Sequence, residues 1–391
     1  MSQFESSYRI PFNQPYLTGK EFDYMEEAVK NGKLSGNGIF TRSCQNFFQE
    51  RFGFPKCLLT TSATDALEMA AILLDIQPGD EVIFPTFTFV STANAFVSRG
   101  AKPIFVDSRP DHPNMDQSQL ESLISPKTKA IVVMHYGGVA CGMDLILELA
   151  DRYGIYIVED AAQAVDAFYL ERPLGRLGHL ACFSFHETKN IQAGEGGMLV
   201  INDSQFAKRA EIIWEKGTDR TAFFRGEVDK YSWVDKGSSF LPSELTAAFL
   251  FAQLENLDTI QNRRKEIWEA YQNLFVTGKS HLFSGNYDHI LLKALQKAGA
   301  DQDLEIQSQP GNYHLFYLIF SKDSSRMEFI SYLKKRGILS VFHYQSLHQS
   351  PFIQQNFPDQ AKKQHPNADR FSDCLVRLPF FFNLPQLTLE L

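Results

Sequence analysis

Ala181-Cys182-Phe183-Ser184-Phe185-His186-Glu187-Thr188-Lys189-Asn190 begins as an apolar strand and ends in a polar turn holding one lysine. Gly194, Glu195, Gly196 and Gly197 follow, a turn in which backbone can approach a ligand closely. Upstream, Tyr156-Ile157-Val158-Glu159-Asp160-Ala161-Ala162-Gln163 reads as a second strand that closes on two carboxylates. Five more short apolar runs lie at 57–60, 81–84, 103–107, 130–134 and 198–201. Near-continuous apolar strands are covered on both faces, as in a mostly parallel sheet packed between helices. Between them, Ala66, Leu67, Ala70, Ala71 and Leu74 repeat at helical spacing, and Ile76-Gln77-Pro78-Gly79-Asp80 stops that helix. Leu145, Leu149 and Ala150 mark another, ending near Gly154. The expectation is an α/β domain with a mostly parallel seven-stranded sheet and with Lys189 and Asp160 at its strand tips. Folds of this kind build their sites at that end.

At 391 residues the chain is long enough for two domains. Residues 243–275 read as a long amphipathic helix or helix pair linking them. The rest reads as a smaller α+β domain, with a strand at 315–320, a helix at 326–336 and a strand-like run at 337–341. The expected division is 1–255 for the large domain and 256–391 for the smaller one. Residues 279–311 give no assignable pattern.

A net charge of −8 argues against a nucleic-acid binder, which needs a basic face. Cys44, Cys57, Cys141, Cys182 and Cys374 are scattered, odd in number and without C-x-x-C spacing. They read as reduced thiols of a cytoplasmic protein, not as a disulfide framework or a zinc site. His135, His179 and His186 have no metal-ligand spacing, so no metal is expected. Residues 1–8 are polar and carry no signal-like run, and no stretch approaches the ~20 apolar residues of a membrane span.

A lysine amine and a strand-end carboxylate at separate sheet tips are what pyridoxal-phosphate chemistry needs. The amine condenses with the cofactor aldehyde, and the freed amine moves protons. The carboxylate keeps the pyridine nitrogen protonated. Asp160 and Glu159 are the candidates for that carboxylate. Strand alternation puts them on opposite faces, so only one can reach the ring. Asp160 also suits a helix N-cap. Gln163, one turn on, can face the same ring edge. Thr60-Thr61-Ser62-Ala63-Thr64-Asp65, between strand and helix, offers hydroxyls and N–H groups to a phosphate, and equally an ordinary cap. Ser184 can add a donor. Phe89 fits either a ring-stacking role or a core position. His348, in His343-Tyr344-Gln345-Ser346-Leu347-His348, fits either the site or the surface.

From Ile10-Pro11-Phe12 to Leu378-Pro379-Phe380 the chain resembles the DegT/DnrJ/EryC1/StrS sugar aminotransferases. Phe183 to Asn190, Gly32 to Gly36, Leu73 to Val82 and Phe89 to Val97 carry the resemblance. Glu215-Lys216-Gly217-Thr218, Phe223-Phe224-Arg225-Gly226 and Val228-Asp229-Lys230-Tyr231 narrow it to members that act on dTDP-4-oxo-6-deoxy-D-glucose with L-glutamate as donor. The resemblance implies an aspartate-aminotransferase-like fold (fold type I) and a homodimer with shared sites. It makes Lys189 the catalytic lysine, Asp160 the partner of the ring nitrogen, and Gln163 and Phe89 ring neighbours. Thr64 and Ser184, with backbone at Ala63 and Asp65, would hold the phosphate. Ser239 falls where the family donates an asparagine from the other subunit. Tyr344 and His348 fall on the smaller-domain tyrosine and histidine. Lysine at 189, where dehydrating relatives carry histidine, implies amine transfer. Lys216, Arg220, Arg225 and Lys230 are candidates for a nucleotide diphosphate, and equally for a solvated charged loop. Relatives continue into a last helix after the Leu-Pro stretch, whereas this chain stops at Leu391, which implies looser packing of the smaller domain.

Overall fold

The computed structural model describes residues 8–384, apart from 281, 284–285 and 300–303. Its central sheet runs in the order Cys57–Thr60, Gly197–Ile201, Leu180–Ser184, Tyr156–Asp160, Thr128–Met134, Glu81–Pro85, Lys102–Val106. The last five are mutually parallel, and Gly197–Ile201 is antiparallel to both its neighbours. Alternate residues of each strand feed different cores. Ile83, Ile131, Val133 and Ile157 join one apolar cluster, and Val82, Phe84, Val132 and Val158 join the other. This two-sided burial is why the strands are apolar throughout rather than at every second residue.

Helices pack both faces, and local chemistry sets their ends. Ser62 caps Ala63–Leu73 by accepting from Asp65 N–H. Gly154, at φ 65°, terminates Met143–Tyr153 in the left-handed conformation that glycine adopts without strain. Buried Glu244 accepts from the N–H groups of Gly38 and Phe40, both at 2.8 Å, and so secures the start of the Ile39–Phe52 helix.

The 243–275 segment is a helix pair, Glu244–Glu255 and Leu257–Thr277, broken at Asn256. The second helix crosses between cores. Leu257 and Ile260 pack with the sheet, while Ile267, Trp268, Tyr271 and Leu274 join a third cluster with Phe316, Phe329 and Val376. That cluster covers a three-stranded antiparallel sheet, Glu305–Ile306, Tyr317–Ile319 and Leu375–Arg377. The strand expected at 315–320 shortens to Tyr317–Ile319, because its neighbour Leu375–Arg377 offers only three partners. The run at 337–341 makes isolated bridges, Ile338 to Ile10 and Val341 to Arg377, instead of a strand. The unassigned region contains a helix, Tyr287–Lys297. The expected loss of a last helix concerns residues outside the described ones.

The N-terminal segment joins the cores. Ile10 N–H donates to Gly337 O, Phe380 N–H donates to Phe12 O, and Tyr16 stacks on Phe382 at 3.7 Å.

Candidate active site

A cavity of about 530 Å³ opens where the sheet tips meet His314, Leu315, the 342–344 segment and Arg377. Its wall includes Ser62, Ala63, Thr64, Phe89, Asp160, Gln163, Ser184, Lys189 and Tyr344. Tight turns create it. Lys189 N–H donates to His186 O at 2.9 Å just beyond the Leu180–Ser184 strand, and Glu187 N–H donates to Gly194 O at 2.8 Å. The Lys189 amine projects into this partly enclosed space. Burial is the main influence on it and Asp160 opposes, so its pKa falls from 10.5 to about 8.

The two carboxylates of the Tyr156–Asp160 strand divide as alternation requires. Glu159 accepts from the N–H groups of Gly175, Leu177 and Gly178 at 2.8, 2.7 and 2.6 Å and pairs with His135 Nε2 at 3.1 Å. It is fully engaged in fixing that turn. Asp160 lines the cavity and is buried, with Thr92 Oγ1 donating to Oδ2 at 2.6 Å and Ala162 N–H to Oδ1 at 3.1 Å. Burial raises its proton affinity, opposed by Thr92, Ala162 and the Lys189 charge. A carboxylate in this state gains from a cationic N–H partner. Gln163 accepts from Gly137 N–H at 2.7 Å and donates to the Tyr344 hydroxyl at 2.9 Å.

At the other end of the cavity the helix Ala63–Leu73 starts. A Cβ on Gly197 would lie 2.2–2.4 Å from Ser62 C and O and Ala63 N, so only glycine lets this loop lie against the sheet. Thr64 Oγ1 donates to Ser91 Oγ at 2.9 Å, and Ser184 lines the same region. Hydroxyls and a helix start facing one cavity suit a phosphate dianion. The residues present therefore fit pyridoxal phosphate, with a phosphate cradle, a buried carboxylate and a depressed lysine around one space.

Several sequence expectations need correction. Asp65 does not face the cavity; its N–H is used by Ser62 Oγ at 3.1 Å and its carboxylate accepts from Thr61 Oγ1. His348 is buried beneath the site, bonded to Thr86 Oγ1 at 2.9 Å and 3.6 Å from Asp369, so neither ring edge is free to turn toward the cavity. Lys216 is exposed and absent from this wall; Ser239, expected to serve the partner's site, is likewise exposed, held next to Lys216 by the backbone bridge Glu215–Ser239. Arg225 folds onto Glu211 and Glu227, at 2.8 and 2.7 Å. Phe89 lines the cavity and is 55% exposed, which removes the core alternative.

The wall also contains residues to which the sequence reading gave no site role, among them Phe12, Asn13, Thr188, Glu195, His314 and Arg377. Arg377 carried a signal, a lone charge inside Leu375-Val376-Arg377-Leu378-Pro379-Phe380. Phe12 and Asn13 carried none, since only tertiary packing brings the N-terminal segment across the cavity.

The model of the DegT/DnrJ/EryC1/StrS aminotransferase family matches residues 15–390. The Bacillus subtilis spore coat polysaccharide biosynthesis protein SpsC is 31% identical over 379 residues, 95% of this chain and 92% of SpsC. The Streptomyces venezuelae DesV structure, in complex with a ketimine intermediate, is 28% identical with a TM-score of 0.77, covering 95% of this chain and 93% of DesV. The PLP form of the putative sugar aminotransferase Spr1654 from Streptococcus pneumoniae has a TM-score of 0.78 at 24% identity, covering 95% of this chain and 94% of that one.

Proposed function

The chain belongs to the DegT/DnrJ/EryC1/StrS aminotransferase family, whose members are pyridoxal-phosphate-dependent sugar aminotransferases, and from that premise we propose its substrates. L-Glutamate gives its amino group, and C4 of dTDP-4-oxo-6-deoxy-D-glucose receives it, yielding dTDP-4-amino-4,6-dideoxy-D-galactose. The observation that carries the reading is the gathering of Lys189, Asp160 and the Ser62–Thr64 turn around one cavity. The choice of sugar rests on the resemblance carried by the stretches at 215–218, 223–226 and 228–231.

Bound there, pyridoxal phosphate supplies an aldehyde for the lysine and an electron-withdrawing ring. The chain's residues do the rest. Lys189 Nζ, with a pKa of about 8, is neutral often enough near neutral pH to take and return a proton at carbon. Asp160, its carboxylate aimed by Thr92 and Ala162, would hold positive charge on a bound ring nitrogen. Gln163, fixed between Gly137 and Tyr344, would contact the ring. Thr64, Ser184 and the Ala63 backbone would hold the phosphate. Phe89 would pack against the ring and help exclude water.

We assign the exposed arm from Lys216 to Ser239 to the neighbouring site of a homodimer. Its exposed Phe224 (68%) and Trp233 (82%) support this, because apolar surface of that size favours a partner. Lys216, Arg220 and Lys230 on the arm would then approach the nucleotide diphosphate, while Arg225 stays paired with Glu211 and Glu227. Five unpaired, buried cysteines support a reducing, cytoplasmic setting. Among the described residues no helix is long and apolar enough to cross a membrane.

The test is incubation of the holoenzyme with L-glutamate and 3-oxo and 4-oxo sugars linked to dTDP or UDP, with products identified by NMR. The expected product carries the amine at C4 of a dTDP-sugar. A 3-amino product, a preference for UDP-sugars, or no turnover at all replaces the reading.

A further inference from the structure

Arg377 ends the Leu375–Arg377 strand of the smaller domain and lines the cavity that Lys189 enters. Its backbone is fixed by two hydrogen bonds with Val341, at 2.8 and 3.1 Å. Its guanidinium lies 4.6 Å from the Phe12 ring centroid, a cation–π contact that neutralises no charge. Among the described residues no carboxylate forms an ion pair with it, and its buried Nε has no hydrogen-bond partner. Arg264, more deeply buried, differs: its Nε donates to Tyr313 O at 2.9 Å and a terminal nitrogen donates to His314 O. Arg264 is spent on the fold, and Arg377 is not. An uncompensated cation in a protein of net charge −8 is costly to keep, and a ligand of opposite charge removes that cost.

The position narrows the ligand. The phosphate cradle at Ser62–Thr64 and Ser184 belongs to the large domain, while Arg377 sits on the smaller-domain wall with His314, His343 and Tyr344. Burial keeps both histidines neutral, so Arg377 is the fixed cation of that wall. A planar guanidinium fork matches a two-oxygen anion. An α-amino acid carries its carboxylate on the same carbon as its amine, so an anion site must share the cavity with the reacting lysine.

We propose that Arg377 is the residue that binds the α-carboxylate of the amino-acid donor. The inference rests on the aminotransferase reading and adds to it the group that selects the donor. Phe12 holds the fork in place during the sugar half of the cycle, when no carboxylate is present.

The test uses Arg377→Gln and Arg377→Lys, checked for native circular dichroism and melting temperature. Calorimetry of glutarate binding to the apoprotein gives a readout independent of turnover. Single-turnover kinetics separate the L-glutamate half-reaction from the nucleotide-sugar half-reaction of the pyridoxamine-phosphate form. Arg377→Gln is expected to weaken glutarate and raise the L-glutamate KM on the order of 100-fold. The sugar half-reaction should change far less, and Arg377→Lys should recover part of the loss. Unchanged glutarate affinity in a folded Arg377→Gln protein, or an equal loss in both half-reactions, overturns the inference. Wild-type protein that accepts the amine from L-glutamate but aminates no sugar overturns the sugar reading and leaves this inference standing.

Discussion

At the scale of single residues, the chemistry turns on Lys189 and its two charged neighbours in opposition. Asp160 raises the proton affinity of the amine, and burial and Arg377 lower it. Acylation of apoprotein Lys189 by an amine-selective reagent should therefore be half-maximal near pH 8, well below the ordinary 10.5. Asp160→Asn should move that midpoint down and Arg377→Gln should move it up, measured by mass spectrometry of the Lys189 peptide. The linkage has a defined sign. Between about pH 8 and 10.5 the unfolded chain holds a proton that the folded one has released, so this group adds stability to the apoprotein as pH rises through that window. Lys189→Ala should still bind the cofactor yet lose turnover by more than the ~10²–10⁴-fold typical of a general base, because covalent attachment is lost too. Borohydride treatment of the wild-type holoenzyme should leave a pyridoxyl label on the Lys189 peptide and none on the alanine variant. Lys189 and Asp160 could be read from the sequence because strand ends fix where a side chain emerges. Arg377 and His314 could not be ranked that way, since their strand and loop gain meaning only once they pack against the cavity.

At the scale of elements, the phosphate end depends on a contact between backbones. Gly197, paired with Thr60 across the sheet, leaves room for the Ser62–Ala63 peptide. Gly197→Ala should cost about 1–3 kcal/mol, the usual range for overpacking, and displace the loop. A lower melting temperature together with a larger cofactor Kd by fluorescence titration would be the paired signature. Fully apolar strands announced a two-sided, mostly parallel sheet, whereas the order of its strands came only from the structure. The shortened 317–319 strand and the bridges at Ile338 and Val341 were not legible, because their lengths are set by partners remote in sequence.

At the scale of the whole molecule, the cavity is a seam between separately packed cores, and the 10–16 segment is stitched across it. Ile10 joins Gly337 and Leu339, Phe12 joins Phe380, and Asn13 Nδ2 donates to Glu187 O at 3.0 Å, two residues from the lysine. Phe12 and Asn13 are also part of the cavity wall. A protease nick after exposed Arg9 would loosen a structural joint and a wall of the catalytic chamber in one event. Trypsin digestion followed by mass spectrometry and assay should then show inactivation keeping time with loss of the N-terminal peptide. If so, front-end fusions and trimmed expression variants of this protein are interventions on its chemistry as much as on its handling.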